Sequence, residues 1–158
     1  MKQRLSIVLA GMMVMVLALA LSGCDEAATV EPEEGDIQIS LTTETTEVAP
    51  GESVVFDLAV SNLTETTLGL EFASEMKYDL VISSIEQPVW SWSFEREFEL
   101  EETQLVVGAE ETLNYNLEWP GTAQDGEQLE PGTYEVRAML LPANVMVDDA
   151  TLELTVTE

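Results

Sequence analysis

The chain has 158 residues, with 31 Asp and Glu against 5 Lys and Arg, no histidine and a single cysteine. Without histidine there is no serine–histidine or cysteine–histidine nucleophile and no imidazole metal ligand. A formal net charge of −26 repels nucleic acid and anionic headgroups, and it leaves basic proteins, cations and uncharged polymers as partners.

In chain order, Lys2 and Arg4 form a basic start and Leu5 to Leu21 an apolar run too short for a comfortable spanning helix. Leu21-Ser22-Gly23-Cys24 follows, and this tetrad resembles the lipobox of bacterial lipoprotein precursors. The resemblance implies that residues 1–23 are a signal peptide, helical in the membrane, and that Cys24 receives a diacylglyceryl group and becomes the first mature residue. The competing reading is an uncleaved membrane anchor. Two or three acyl chains, at about 0.8 kcal/mol per buried methylene, make such an attachment effectively permanent. The protein is therefore expected to be exported and lipid-anchored to the cell membrane. Asp25 comes next; in enteric-type Gram-negative lipoproteins an aspartate there implies retention in the inner membrane, on its periplasmic side.

Residues 24–36 read as an acidic, disordered tether: Asp25 to Asp36, DEAATVEPEEGD, lacks aromatics and contains Pro32 and Gly35. Its reach is at most about 40 Å. The rest, 37–158, is enough for one domain with a modest core, which no disulfide can brace once Cys24 is modified. After Cys24 the 31 carboxylates face only Lys77, Arg96 and Arg137. Because they are spread rather than blocked, salt adaptation is the favoured account of them, over a charge-selected partner.

From Ile37 onward the hydrophobic period is two. Ile37, Ile39 and Leu41 alternate with polar residues, as do Val54 to Val60, Leu68 to Phe72, Tyr78 to Ile82, Trp90 to Phe94, Leu113 to Trp119, Tyr134 to Leu140 and Leu152 to Val156. Turn signals separate them: Pro50-Gly51, Asn62 to Thr66, Pro120-Gly121, Asp125-Gly126 and Pro131-Gly132. About seven to nine half-buried strands and no mature helix predict an all-β, immunoglobulin-like antiparallel β-sandwich. Tyr134, just after Pro131-Gly132, is placed to bond its hydroxyl back to the backbone at a corner.

The combination Phe56-Asp57-Leu58-Ala59-Val60-Ser61-Asn62-Leu63-Thr64, Leu70-Glu71-Phe72, Tyr78-Asp79-Leu80-Val81-Ile82, Val89-Trp90-Ser91-Trp92-Ser93, and Gly126 followed by Pro131-Gly132-Thr133-Tyr134-Glu135-Val136 resembles the BsuPI domain, the intracellular proteinase inhibitor family. It extends over about Val54 to Leu141, and it implies an immunoglobulin-like sandwich and inhibition of a subtilisin-type serine protease. The matching residues are mostly those a core requires, and such residues transfer a fold more safely than an activity.

An inhibitor needs an extended loop, stiff enough that docking costs little ordering entropy. Two connections qualify: Phe94, Glu95, Arg96, Glu97 and Phe98, or the longer one from Pro120 to Gly132, whose sole apolar anchor is Leu129. The first is the favoured partner-binding loop; solvated turns are the plain alternative for both. Trp90 and Trp92 fall on one strand face and read as core, a carbohydrate platform being the other use for such a pair. Asp125-Gly126-Glu127 and Asp148-Asp149 are the denser acidic clusters, but neither has the spacing of a dedicated calcium loop. No enzyme activity, cofactor or resident metal is expected. The partners expected are the membrane, through lipid on Cys24, and either a subtilisin-type protease or another envelope protein held by a non-inhibitory binding module.

Overall fold

A computed structural model describes residues 28–85 and 87–158. The signal segment and Cys24 lie outside the described residues. Within them the chain is all-β, as its period-two patterning dictates: β1 (Ile37–Thr43), β2 (Glu47–Val48), β3 (Val54–Asn62), β4 (Leu68–Phe72), β5 (Tyr78–Ser84), β6 (Gln87–Ser91), β7 (Thr103–Val107), β8 (Thr112–Trp119), β9 (Gly132–Leu140) and β10 (Ala150–Val156). A three-stranded sheet, β1-β3-β8, and a five-stranded sheet, β2-β10-β9-β5-β6, are accompanied by the β4-β7 pair.

Alternation decides which side chains the sheets share. Along β3, Val54, Phe56, Leu58 and Val60 are buried while the residues between them are not, and the same holds for Tyr134, Val136, Ala138 and Leu140 on β9. A one-residue slip would turn each set to water. With Trp119, Leu117, Phe72, Leu80, Ile82 and Leu154 these side chains make one core. Every named pairing is antiparallel except β2 with β10, where Thr155 faces Glu47 and Val156 faces Val48. The chain therefore leaves the first sheet after Thr43 and joins the second at Glu47, an exchange characteristic of open sandwiches.

Two polar residues brace the corners. Tyr134 donates its hydroxyl hydrogen bond to the Glu130 carbonyl at 2.8 Å, the corner bond its position implies. Asn62, only 2 % exposed, ends β3 by donating to the carbonyls of Thr66, Val107 and Gly108 while accepting from the Thr64 amide. All its hydrogen-bonding capacity stays inside the protein, as a buried amide requires.

Three sequence expectations need correcting. The strand expected from Trp90 to Phe94 stops at Ser91, because a buried carboxylate described below captures the following residues in a turn. Strands β2 and β7 were not expected: the first is too short to show a period, and the second, Thr-Gln-Leu-Val-Val, breaks the alternation. Part of the segment expected to be a tether lies on the domain, because Gly69 and Glu71 direct backbone groups away from β7 that must find partners. The Val30 amide donates to the Thr67 carbonyl and the Gly69 amide to the Val30 carbonyl, at 2.9 and 3.0 Å. Farther along the same edge Asn144 accepts from the Glu71 amide and donates to the Gly69 carbonyl.

Candidate functional site

The favoured loop begins where β6 ends, and a carboxylate on the neighbouring strand fixes how it ends. Asp79 of β5 is 7 % exposed. Its Oδ1 accepts from the backbone amides of Leu80 (2.8 Å) and Ser93 (3.1 Å), and its Oδ2 from the hydroxyls of Ser91 (3.1 Å) and Ser93 (2.7 Å). The two serine hydroxyls also touch each other at 3.0 Å. A buried charge is tolerable only with such a complement of donors, and hydrogen bonds to a charged acceptor are the strong ones. The consequence is geometric: Ser91 and Ser93 are pulled to one carboxylate and the chain turns at Trp92.

Around Trp92 the remaining groups stack. Its ring lies 5.1 Å from Tyr78 and 6.1 Å from Phe98, and Tyr78 continues the contact to Tyr115 at 4.8 Å. Arg96 closes the arrangement: its guanidinium carbon sits 4.0 Å from the Trp92 ring centre, and its Nε donates to the Trp92 carbonyl at 3.0 Å. Burial pushes the Tyr78 hydroxyl above its ordinary pKa, with the Arg96 charge pulling weakly the other way. Tyr115 is raised too, by burial first and then by Tyr78. Both phenols stay neutral across the physiological range.

What this scaffold presents outward is apolar and acidic. Phe94, at the turn, is 70 % exposed, with Glu95 and Glu97 in solvent beside it. The amides of Phe94 and Arg96 bond back to the carbonyls of Ser91 and Ser93, so this part of the backbone is curled on itself. Beyond Arg96 the chain runs without strand or turn to Glu102, and Leu100 in that stretch is 93 % exposed.

The connection from Pro120 to Gly132 is built the opposite way. Leu129, its sole apolar anchor, is buried in the core at 6 % exposure and offers nothing to a partner. Trp119 Nε1 donates to the Thr122 carbonyl, Thr122 bridges to Gln128, and Gln124 binds the rim of β6 through the Val89 carbonyl and the Ser91 amide. Gly121 is required at its bend: φ is +82°, and a Cβ would come within 2.5 Å of the Glu52 carbonyl oxygen. Both connections thus meet at β6, one presenting side chains and the other supporting the strand.

Of the expected loop residues, then, Phe94, Glu95 and Glu97 are exposed, Arg96 is clamped to Trp92, and Phe98 is half-buried against the same ring. Trp90 is in the core, whereas Trp92 forms its partly covered rim, so the pair makes no open platform for a sugar. Sequence reasoning missed the organising role of Asp79; the signal was an aspartate next to a strand tyrosine, with two serines two residues apart on the facing strand. Among the described residues no group of three carboxylates is gathered to hold a metal ion. Asp125 Oδ1 instead accepts from the Glu127 amide, and Asp149 faces Arg137 at 3.8 Å.

Likeness to a solved structure at 16 % identity shows the fold alone, and the first of the following, at a TM-score of 0.50, carries it. A cycloisomaltooligosaccharide glucanotransferase from Paenibacillus sp. superposes with a TM-score of 0.50 and 16 % identity over 79 % of this chain and 14 % of the enzyme. A β-glucosidase from Erythrobacter marinus gives 0.48 at 13 % identity over 77 % of this chain and 15 % of that one. A CARDB domain from Pyrococcus furiosus, solved with di-metal ions, gives 0.45 at 14 % identity, covering 77 % of this chain and 93 % of its own. The chain thus corresponds to a small part of either enzyme. No curated protein matches the sequence. Residues 30–145, well over half of the chain, match the BsuPI family, described as intracellular proteinase inhibitor, and they begin at Val30, whose backbone bonds to Thr67 and Gly69. The chain belongs to the BsuPI family of proteinase inhibitors.

Proposed function

We propose that this protein is a lipid-anchored, stoichiometric inhibitor of a subtilisin-type serine protease, docking through the loop that contains Phe94 to Phe98 and held at the membrane by acylated Cys24. The observation that carries the reading is the set of bonds that ties down the start of that loop. An inhibitor without disulfides needs another way to keep its binding segment ordered before docking. Here the Asp79 carboxylate, with its four donors, and the Arg96 guanidinium on Trp92 take that place. The work is binding: exposed apolar side chains ringed by carboxylates match a cleft with apolar pockets and a neutral or basic rim. The lipobox-like Leu21 to Cys24 supports the membrane attachment, which would place the inhibitor where exported proteases act.

Titration of the full-length chain, purified in mild detergent, against a panel of subtilisin-type proteases tests the reading. Loss of protease activity that is complete near a one-to-one ratio is expected. Unchanged turnover, or rapid digestion of the chain, would contradict it. Metabolic labelling with a fatty acid, compared between the wild type and Cys24→Ala, tests the anchor; label on the wild type alone is expected.

A further inference from the structure

The turn at Phe94 is tied down, but its curled backbone leaves the main-chain pairing with a protease cleft to another part of the same loop. Such clefts hold a peptide extended and pair with its main chain as a neighbouring strand would, so the guest must have free amides and carbonyls. Phe94 and Arg96 have already committed their amides to Ser91 and Ser93. A few residues on, the geometry changes. From Glu97 to Glu102 the chain is neither strand nor turn, and among the described residues the amides of Glu97, Phe98, Leu100, Glu101 and Glu102 form no hydrogen bond within the protein.

This strap is nonetheless fixed on both sides of its most exposed part. The Glu75 amide donates to the Glu99 carbonyl at 3.1 Å, and the Glu99 amide reaches Glu75 Oε2 at 3.4 Å. Four residues later Thr103, which opens β7 opposite Phe72, donates its hydroxyl to the Ser74 carbonyl at 2.9 Å. Leu100, 93 % exposed, stands between these two fastenings, both on the same Ser74-Glu75 segment. A 93 % exposed leucine on a tethered backbone that is neither strand nor turn, with unpaired amides around it, is what a substrate-like guest requires.

We propose that Leu100 is the side chain seated in the primary apolar specificity pocket of the protease, with the main chain around it pairing with the cleft, and that the Phe94 turn is a flanking contact. This rests on the inhibitor reading above and names the anchor within it. Glu99 and Glu101 flank the leucine directly, so the best-inhibited proteases carry a neutral or basic rim around that pocket.

The test is a comparison of inhibition constants for the full-length wild type, Leu100→Ala and Phe94→Ala, against whichever subtilisin-type protease the wild type inhibits best. Neither residue is buried, and unchanged thermal unfolding confirms that both variants keep the fold. Leu100→Ala is expected to weaken inhibition at least tenfold, as loss of a central anchor does, and Phe94→Ala by less than about threefold. Full inhibition by Leu100→Ala overturns the assignment; if Phe94→Ala then loses inhibition, the inhibitor reading stands with its anchor in the turn. Failure of the wild type to inhibit any of the proteases overturns both.

Discussion

The two longest connections, residues 92–102 and 120–131, are both rich in carboxylates, both adjoin β6, and use their apolar side chains in opposite ways. The second turns Leu129 inward and ties itself down through Thr122, Gln124 and the bend at Gly121. The first is held from beneath by Asp79 and leaves Phe94 and Leu100 in water. Composition does not distinguish a supporting loop from a presenting one; what distinguishes them is where their backbone hydrogen bonds go. A loop whose polar groups are satisfied locally can bury its leucine, and one whose amides stay in water keeps them free to pair with another chain.

The contrast can be broken most forcefully on the supporting side. Leu129→Ala removes a buried side chain and leaves a cavity, so unfolding by denaturant should show a loss of about 3 kcal/mol, with Gln124 released from β6. The corresponding change on the presenting side, Leu100→Ala, should leave stability within about 0.5 kcal/mol of wild type. Equal losses at the two sites would erase the distinction.

Next in size is the support beneath the presenting loop. Asp79→Ala strands the Leu80 and Ser93 amides and should cost about 2 kcal/mol; hydrogen exchange should quicken at Ser93 to Phe98 and stay unchanged at Ala123 to Leu129. Uniform quickening would mean that Asp79 serves the whole sandwich and not this loop. Smaller still is Tyr134→Phe, which removes a single neutral hydrogen bond to Glu130 and should cost about 1 kcal/mol.

A pH dependence follows from the phenols. Burial raises Tyr78, Tyr115 and Tyr134 above the ordinary value of 10.0, with Glu130 adding to the shift at Tyr134. The folded state therefore holds these protons more tightly than the unfolded chain does. Their contribution is fully present below pH 10 and is lost as the pH rises through the higher folded values. Thermal unfolding should accordingly show stability flat with respect to these groups at neutral pH and falling above about pH 10, with a shallower fall in Tyr134→Phe.

Much of the fold was legible because the buried face of each long strand is written at every second residue; Phe56, Leu58 and Val60 on β3, or Val136 and Ala138 on β9, leave no other register. Tyr134 was legible because a Pro-Gly turn sets its distance from Glu130. The turn at Trp92 was not, since Trp90, Trp92 and Phe94 carry the strand period and what ends it is a carboxylate on another strand, contributed by Asp79. The contact at Val30 was hidden for a similar reason: an acidic segment without periodicity is recruited by the backbone of β4, which no local pattern reveals. The segment Phe94 to Phe98 stood out in the sequence as a connection, whereas Leu100 lies beyond it, in a stretch whose unpaired backbone has no signature in side-chain sequence.

The most direct measurement is amide hydrogen exchange on the full-length chain, free and mixed with a subtilisin-type protease inactivated at its nucleophile. The account requires new protection at Glu97 to Glu102, weaker protection around Phe94, and none in the Pro120 to Gly132 connection. Protection confined to that second connection or to the outer face of either sheet, or no protection at saturating protease, would contradict it.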